Sequence, residues 1–182
     1  MHLISSLRSV PVHTNVEFKS WGKIPRDNPF NVTITEKIDG TNACVIIQGG
    51  AIVGVQSRKR MITPEGDNYG FAKWVGEHEE HLLTLGDGYH YGEWAGEGIQ
   101  KNPLKLTGKH FFLFNTFRGC PECCSTVPVL FQGAMEVGTV PLLLSQLASD
   151  TEVEHEGVVV FYHTFRAYTK HTIKSRDGKW CK

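Results

Sequence analysis

Short alternating segments recur along this chain, and they limit its fold more than any other feature. Residues 31–37 set Val32 and Ile34 on one side and Thr33 and Thr35 on the other, the period-two pattern of a half-buried strand. Residues 43–48 and 51–57 flank Gly49-Gly50, a dipeptide that accepts the positive φ of a tight turn, so the spacing predicts a β-hairpin. Further strands are expected over 88–94, 109–117, 127–131, 157–162 and 166–174. Helices are few. Asp67 is placed to cap one whose apolar residues Phe71, Trp74, Val75, His78 and Leu82 recur at steps of three and four, and a shorter one is expected from Pro141 to Ala148. Many strands joined by hairpins and irregular loops, with few helices, predict an α+β fold built on antiparallel sheets.

The chain of 182 residues, 40% hydrophobic and 21% charged, suits one globular domain with a sizeable core. No repeat or long linker divides it, so a single domain over 1–182 is expected. No apolar run approaches the roughly 20 residues of a membrane span. The N-terminus lacks the charged-then-apolar pattern of a secretion signal. Five cysteines, three of them crowded as Cys120, Cys123 and Cys124, make no disulfide framework, so a reducing cytoplasm is expected. The Cys120–Cys123 spacing occurs in zinc sites, but no second pair completes four ligands, and reduced loop cysteines are the better reading.

The candidate chemistry begins at Glu36-Lys37-Ile38-Asp39-Gly40-Thr41-Asn42, between two predicted strands. Lys-x-Asp-Gly alone is too short to signify. It is followed in order by Ser57-Arg58-Lys59-Arg60, Tyr91-Gly92-Glu93-Trp94-Ala95-Gly96, Phe111-Phe112-Leu113-Phe114, Glu156-Gly157-Val158-Val159-Val160 and Tyr168-Thr169-Lys170-His171-Thr172-Ile173-Lys174. Taken singly, Arg58 reads as a solvated charge, Phe114 as core, Glu93 as a turn cap and Glu156 as part of an acidic run. In this order they resemble the collinear motifs of the covalent nucleotidyltransferases: ATP-dependent RNA and DNA ligases and messenger-RNA capping enzymes. The likeness is greatest to RNA ligases of the bacteriophage RNA ligase 2 type, and it covers roughly residues 33–174.

That resemblance implies an ATP-dependent RNA ligase. Lys37 would take AMP from ATP, the AMP would pass to an RNA 5′-phosphate, and a 3′-hydroxyl would displace it. Glu36, Asn42, Arg58, Glu93 and Phe114 would bind the nucleotide, with Phe114 stacking on adenine and Glu93 on the ribose hydroxyl. Glu156 would hold Mg²⁺ or Mn²⁺, hard ions that take oxygen ligands. A free lysine has a pKa of about 10.4, so presenting a neutral amine takes roughly 4 kcal/mol. Lys170, Lys174, Arg58 and the metal would favour that form by repelling the ammonium. The related ligases end in two lysines separated by one residue, whereas Thr172 stands between Lys170 and Lys174. Either Thr172 replaces the second lysine, or Thr172 and Lys174 fill the two places, and in a strand all three project to one face.

Only eight residues follow Lys174, so neither an OB-fold nor a C-terminal helical domain is expected, and autoadenylation is predicted ahead of efficient sealing. The resemblance further implies RNA ends as partners, no membrane, a monomer, a role in RNA repair and the cytoplasm, a host's if the chain is phage-encoded. The alternatives are a DNA ligase, a capping-type guanylyltransferase, or an RNA-end-binding module with weak turnover. Trp21-Gly22-Lys23-Ile24-Pro25-Arg26 offers two cations beside an aromatic ring, for which a surface turn is the commoner explanation. The formal net charge is zero, but residues 163–182 carry six Lys+Arg against one acid. A salt-sensitive RNA contact confined to one face is therefore expected.

Overall fold

The computed structural model of the chain describes residues 30–173. Lys174, Cys181 and the stretch from Trp21 to Arg26 lie outside the described residues. Two sheets account for all nine strands among the described residues. The first has the order β7 (Val129–Ala134), β1 (Asn31–Glu36), β8 (Gly157–Tyr162), β9 (Ala167–Thr172), every neighbour antiparallel. The second has the order β3 (Ala51–Ser57), β2 (Thr41–Gln48), β4 (Gly88–Gly96), β5 (Lys109–Leu113), β6 (Ser125–Thr126), antiparallel except for the short β5–β6 pair. The hairpin between β2 and β3 turns on Gly49-Gly50 with φ of 60° and 74°, as the sequence predicts. The α+β architecture of antiparallel sheets with few helices is thus observed.

Each sheet buries one face under helices. Val32 and Ile34 of β1 and Val158 and Val160 of β8 pack with Leu143, Leu144 and Leu147 of α3 (Thr139–Ala148). Ala43, Val45 and Ile47 of β2, with Trp94 and Phe111, pack with Phe71, Val75 and Leu82 of α1 (Phe71–Glu77) and α2 (Glu79–Leu83). The sequence predicts one helix where α1 and α2 stand. The break is His78, whose backbone is not helical (φ −121°, ψ 20°) and whose Nδ1 lies 2.8 Å from the Trp74 carbonyl oxygen, competing for the helix's own acceptor. The cap position is Gly70 rather than Asp67, but the Asp67 carboxylate still reaches the first turn, accepting the Ala72 and Lys73 N–H groups at 2.8 and 3.1 Å.

A third cluster, Ile38, Ala95, Phe112 and Val127, joins the helix-free face of the second sheet to the segment that leaves β1. It forms because alternate residues of β4 and β5 point to opposite faces: Trp94 and Phe111 toward the helices, Ala95 and Phe112 away from them. Two predicted strands shift. The one expected over 109–117 stops at Leu113, whose carbonyl accepts the Val127 N–H at 3.0 Å, and the one expected over 127–131 begins at Val129 and runs to Ala134. No helix among the described residues is long and apolar enough to cross a membrane.

Candidate active site

The link between the two sheets carries Lys37. It leaves β1 with the Lys37 N–H donating to the Gly157 carbonyl at 2.9 Å, and continues the face that bears Thr33 and Thr35, opposite the face under α3. Gly40 then presses on β4: a Cβ there would lie 2.5 Å from the Trp94 carbonyl oxygen and 2.9 Å from Glu93 Cγ. Only glycine permits that approach, and it holds the link against the strand that bears Glu93. Asp39 is fixed by the Lys101 N–H at 3.3 Å, and Thr41 by Asn68 Nδ2 at 3.1 Å.

Across the link stands Glu156, just before β8. Its carbonyl accepts the Ile173 N–H at 3.0 Å, and its Oε2 receives a hydrogen bond from Lys37 Nζ at 2.5 Å, with both side chains mostly buried. Asn42 of β2 and Glu93 of β4 are directly paired residues, and Asn42 Nδ2 donates to Glu93 Oε2 at 2.8 Å. Burial pushes the Glu93 carboxyl up to about 7; the Lys37 charge and the Asn42 hydrogen bond pull it down, while the charges of Glu156 and Asp39 raise it. Lys37, Asn42, Glu93 and Glu156 therefore form one electrostatic group where the helix-free faces meet.

The other predicted site residues surround this group unevenly. Phe114 lies just past β5, its N–H donating to the Tyr91 carbonyl at 3.0 Å, with its ring exposed. Lys170 pairs with Val159 and Thr172 with Gly157, so both share the Lys37 face, Thr172 in the same row as Lys37. Arg58 follows Ser57, the partner of Ala43, and so stands at the sheet edge level with Asn42. The structure does not bring the Glu36 carboxylate into the group. It is buried on the α3 side, where Oε1 meets His155 Nδ1 at 2.6 Å, and His155 Nε2 meets Asp150 Oδ2 at 3.0 Å. Burial draws the His155 imidazole pKa down, but its hydrogen bonds to Asp150 and Glu36 and their charges outweigh this and leave it raised.

His155, Asp150 and Asp39 are absent from the sequence-derived site. His155 and Glu36 are 119 positions apart, and no local pattern signals such a pair. Cys123 and Cys124 bring their sulfurs to 3.8 Å and pack on the helix-side core of the second sheet. Among the described residues no group of three His, Cys, Asp or Glu side chains is arranged to hold a metal. Glu156 and Glu93 nonetheless offer the oxygen donors a hard divalent ion takes, and such ions complete their shell with phosphates and water rather than a protein cage.

Two antiparallel sheets meeting over a half-buried lysine and carboxylates have the architecture of a nucleotidyltransferase domain of the ligase type. The chain belongs to the RNA ligase family, whose model matches residues 30–174. Solved structures of an RNA ligase from Naegleria gruberi share the fold. A lysine-to-methionine variant with AMP and Mn gives a TM-score of 0.58 at 21% identity, over 79% of this chain and 50% of that one. A lysine-to-alanine variant with ATP and Mn gives 0.56 at 21% identity, over 78% and 48%. An aspartate-to-alanine variant without ligand gives 0.56 at 22% identity, over 78% and 49%. The chain thus spans about half the length of those Naegleria chains. No curated protein matches it.

Proposed function

We propose that this chain is an ATP-dependent RNA ligase, of the kind found in bacteriophage RNA ligase 2-like enzymes, that works through a lysyl-AMP intermediate. The observation that carries the reading is the contact between Lys37 Nζ and Glu156 Oε2 beside a buried Glu93, in a chain of the RNA ligase family. The ATP, AMP and Mn bound by the Naegleria ligase support ATP as substrate and a divalent ion, Mg²⁺ or Mn²⁺, as cofactor.

In the first step Lys37 Nζ attacks the α-phosphorus of ATP, a P–N bond forms and pyrophosphate leaves. The ammonium must first lose a proton, and Glu156 Oε2 is the acceptor in contact with it. Glu156 would hold the divalent ion, which when bound draws charge from the phosphate oxygens. Lys170, on the Lys37 face of β9, supplies positive charge toward the phosphates, with Lys174 beyond the described residues as its companion. Arg58 at the sheet edge meets the nucleotide or the RNA 5′-phosphate. Phe114 stacks on the adenine, Asn42 orients phosphate, and Glu93, whose carboxyl burial pushes up, meets a ribose hydroxyl. The AMP then moves to an RNA 5′-phosphate, and a 3′-hydroxyl displaces it.

The test is intact-protein mass measurement after incubation with ATP and Mg²⁺. The wild type should gain one AMP and Lys37→Ala none. An adduct on the alanine variant would remove Lys37 as nucleophile, and an adduct from GTP in place of ATP would point to a capping-type enzyme.

A further inference from the structure

The helix-free face of the second sheet extends well beyond the proposed nucleotide site. Glu93, Tyr91 and Tyr89 alternate along β4 and so point to the same side. Strand pairing sets Asn42 beside Glu93, Cys44 beside Tyr91 and Ile46 beside Tyr89, with Gln56 and Gly54 next outward on β3. The Tyr89 and Tyr91 rings are near-parallel, 17° between planes and 6.1 Å between centroids, and both are more than half exposed, at 60% and 52%. Phe114 flanks Tyr91 on the far side, and Met61 lies over Gly54 at the other edge, within 2.6 Å of where a Cβ would be. No helix covers this face among the described residues.

We propose that Tyr89 and Tyr91 form a stacking shelf for the unpaired bases next to the reacting RNA end. The proposal rests on the ligase reading and adds to it a substrate class, an RNA whose end is single-stranded. Residues two apart on a strand are spaced by about 6.6–6.8 Å, so successive rings offer successive platforms, and every base has a face that stacks on an aromatic ring. The shelf begins one strand step from Glu93 and runs away from Lys37, the course a strand must take once its end lies at the site.

Its charges suit a phosphate backbone. Arg58 and Lys59 are exposed at the near edge with no hydrogen bond or ion pair among the described residues, whereas Arg60 is committed to the Gly66 and Asp67 carbonyls at 2.7 and 3.3 Å. At the far end Asp87 accepts the Gly49 and Gly50 N–H groups at 2.8 and 3.0 Å, and its charge limits the shelf there. Tyrosines, with a hydroxyl at the ring tip, remain compatible with water between encounters, as a surface reserved for a permanent protein partner need not.

The experiment is fluorescence anisotropy of a labelled, 5′-phosphorylated single-stranded RNA with the full chain, alongside AMP capture by mass. Tyr89→Ala and Tyr91→Ala should each weaken binding by about 5- to 150-fold, the range for loss of one base–ring stack. Both should still capture AMP. Tyr89→Phe and Tyr91→Phe should restore binding, and a strand with abasic positions next to its end should bind the wild type as weakly as the intact strand binds the alanine variants. Alanine variants that bind like the wild type, or an abasic strand that binds like the intact one, would overturn the shelf while leaving the ligase reading in place. A dimer in sedimentation that either alanine variant dissolves would also overturn it, assigning the face to a second copy. A wild type that neither captures AMP nor binds RNA would remove the ligase reading and the shelf together.

Discussion

Glu93 is the residue at which folding and chemistry compete most directly. Burial lifts its carboxyl from 4.5 to about 7, so the folded protein holds a proton there that the unfolded chain has already released. Between those values the native state binds more protons than the unfolded state, and stability must fall as pH rises. For this partly screened but well-buried group the loss is on the order of 3 kcal/mol. Glu93→Gln keeps the shape and removes the titration. Urea midpoints measured from pH 4 to 8 should therefore show the wild type losing stability relative to the glutamine variant as the pH rises, and parallel curves would refute the assignment. The same reasoning explains why Asn42 matters: its amide is the hydrogen bond that partly offsets the cost of ionising Glu93. Glu93 and Asn42 were both legible in the sequence as motif members. That they face each other depends on strand register, which no local pattern contains.

Among the elements, β8 and β9 set the carboxylate that meets Lys37. Gly157 begins β8 at φ 147°, a conformation L side chains rarely adopt, and a Cβ on it would lie 2.0 Å from the His171 carbonyl oxygen of β9. Gly157→Ala must therefore move β9 away or rotate the backbone at Glu156, whose carbonyl is tied to Ile173. A stability loss of at least about 2 kcal/mol is expected, with AMP capture per folded molecule falling because Glu156 leaves Lys37. Retained capture at full folded fraction would show that Glu156 has no part in adenylylation. The strands themselves were readable because period-two alternation survives burial of one face. The helix α1–α2 was readable in its apolar spacing but not in its break, because the His78 ring competes for a carbonyl that the pattern assigns to the helix. The His155 bridge between Glu36 and Asp150 was unreadable for a different reason: it joins β1 to the segment after α3, and while Glu36 reads as part of the Lys37 motif, Asp150 and His155 look like an ordinary acidic run.

At the scale of the whole molecule, the site exists only where two sheets with separate cores meet, and the cluster of Ile38, Ala95, Phe112 and Val127 is what joins them. Ile38 follows Lys37, the proposed nucleophile, and Ala95 lies two residues beyond Glu93, so this small core ties the segment that bears the amine to the strand that bears the buried carboxyl. The large core under α1 and α2 supports the second sheet from its opposite face and includes no side chain of the link. Ile38→Ala and Leu82→Ala each remove a large buried side chain and should each cost about 2–5 kcal/mol. Their effects on function should separate. Held well below its melting point, with the folded fraction measured by circular dichroism, Leu82→Ala should capture AMP at the wild-type rate per folded molecule. Ile38→Ala should capture it more slowly, because the cavity lets the Lys37 link drift from β4, and ATP binding should weaken with it. Equal rates in the two variants would mean that the sheets are held together elsewhere and that the third cluster contributes stability alone.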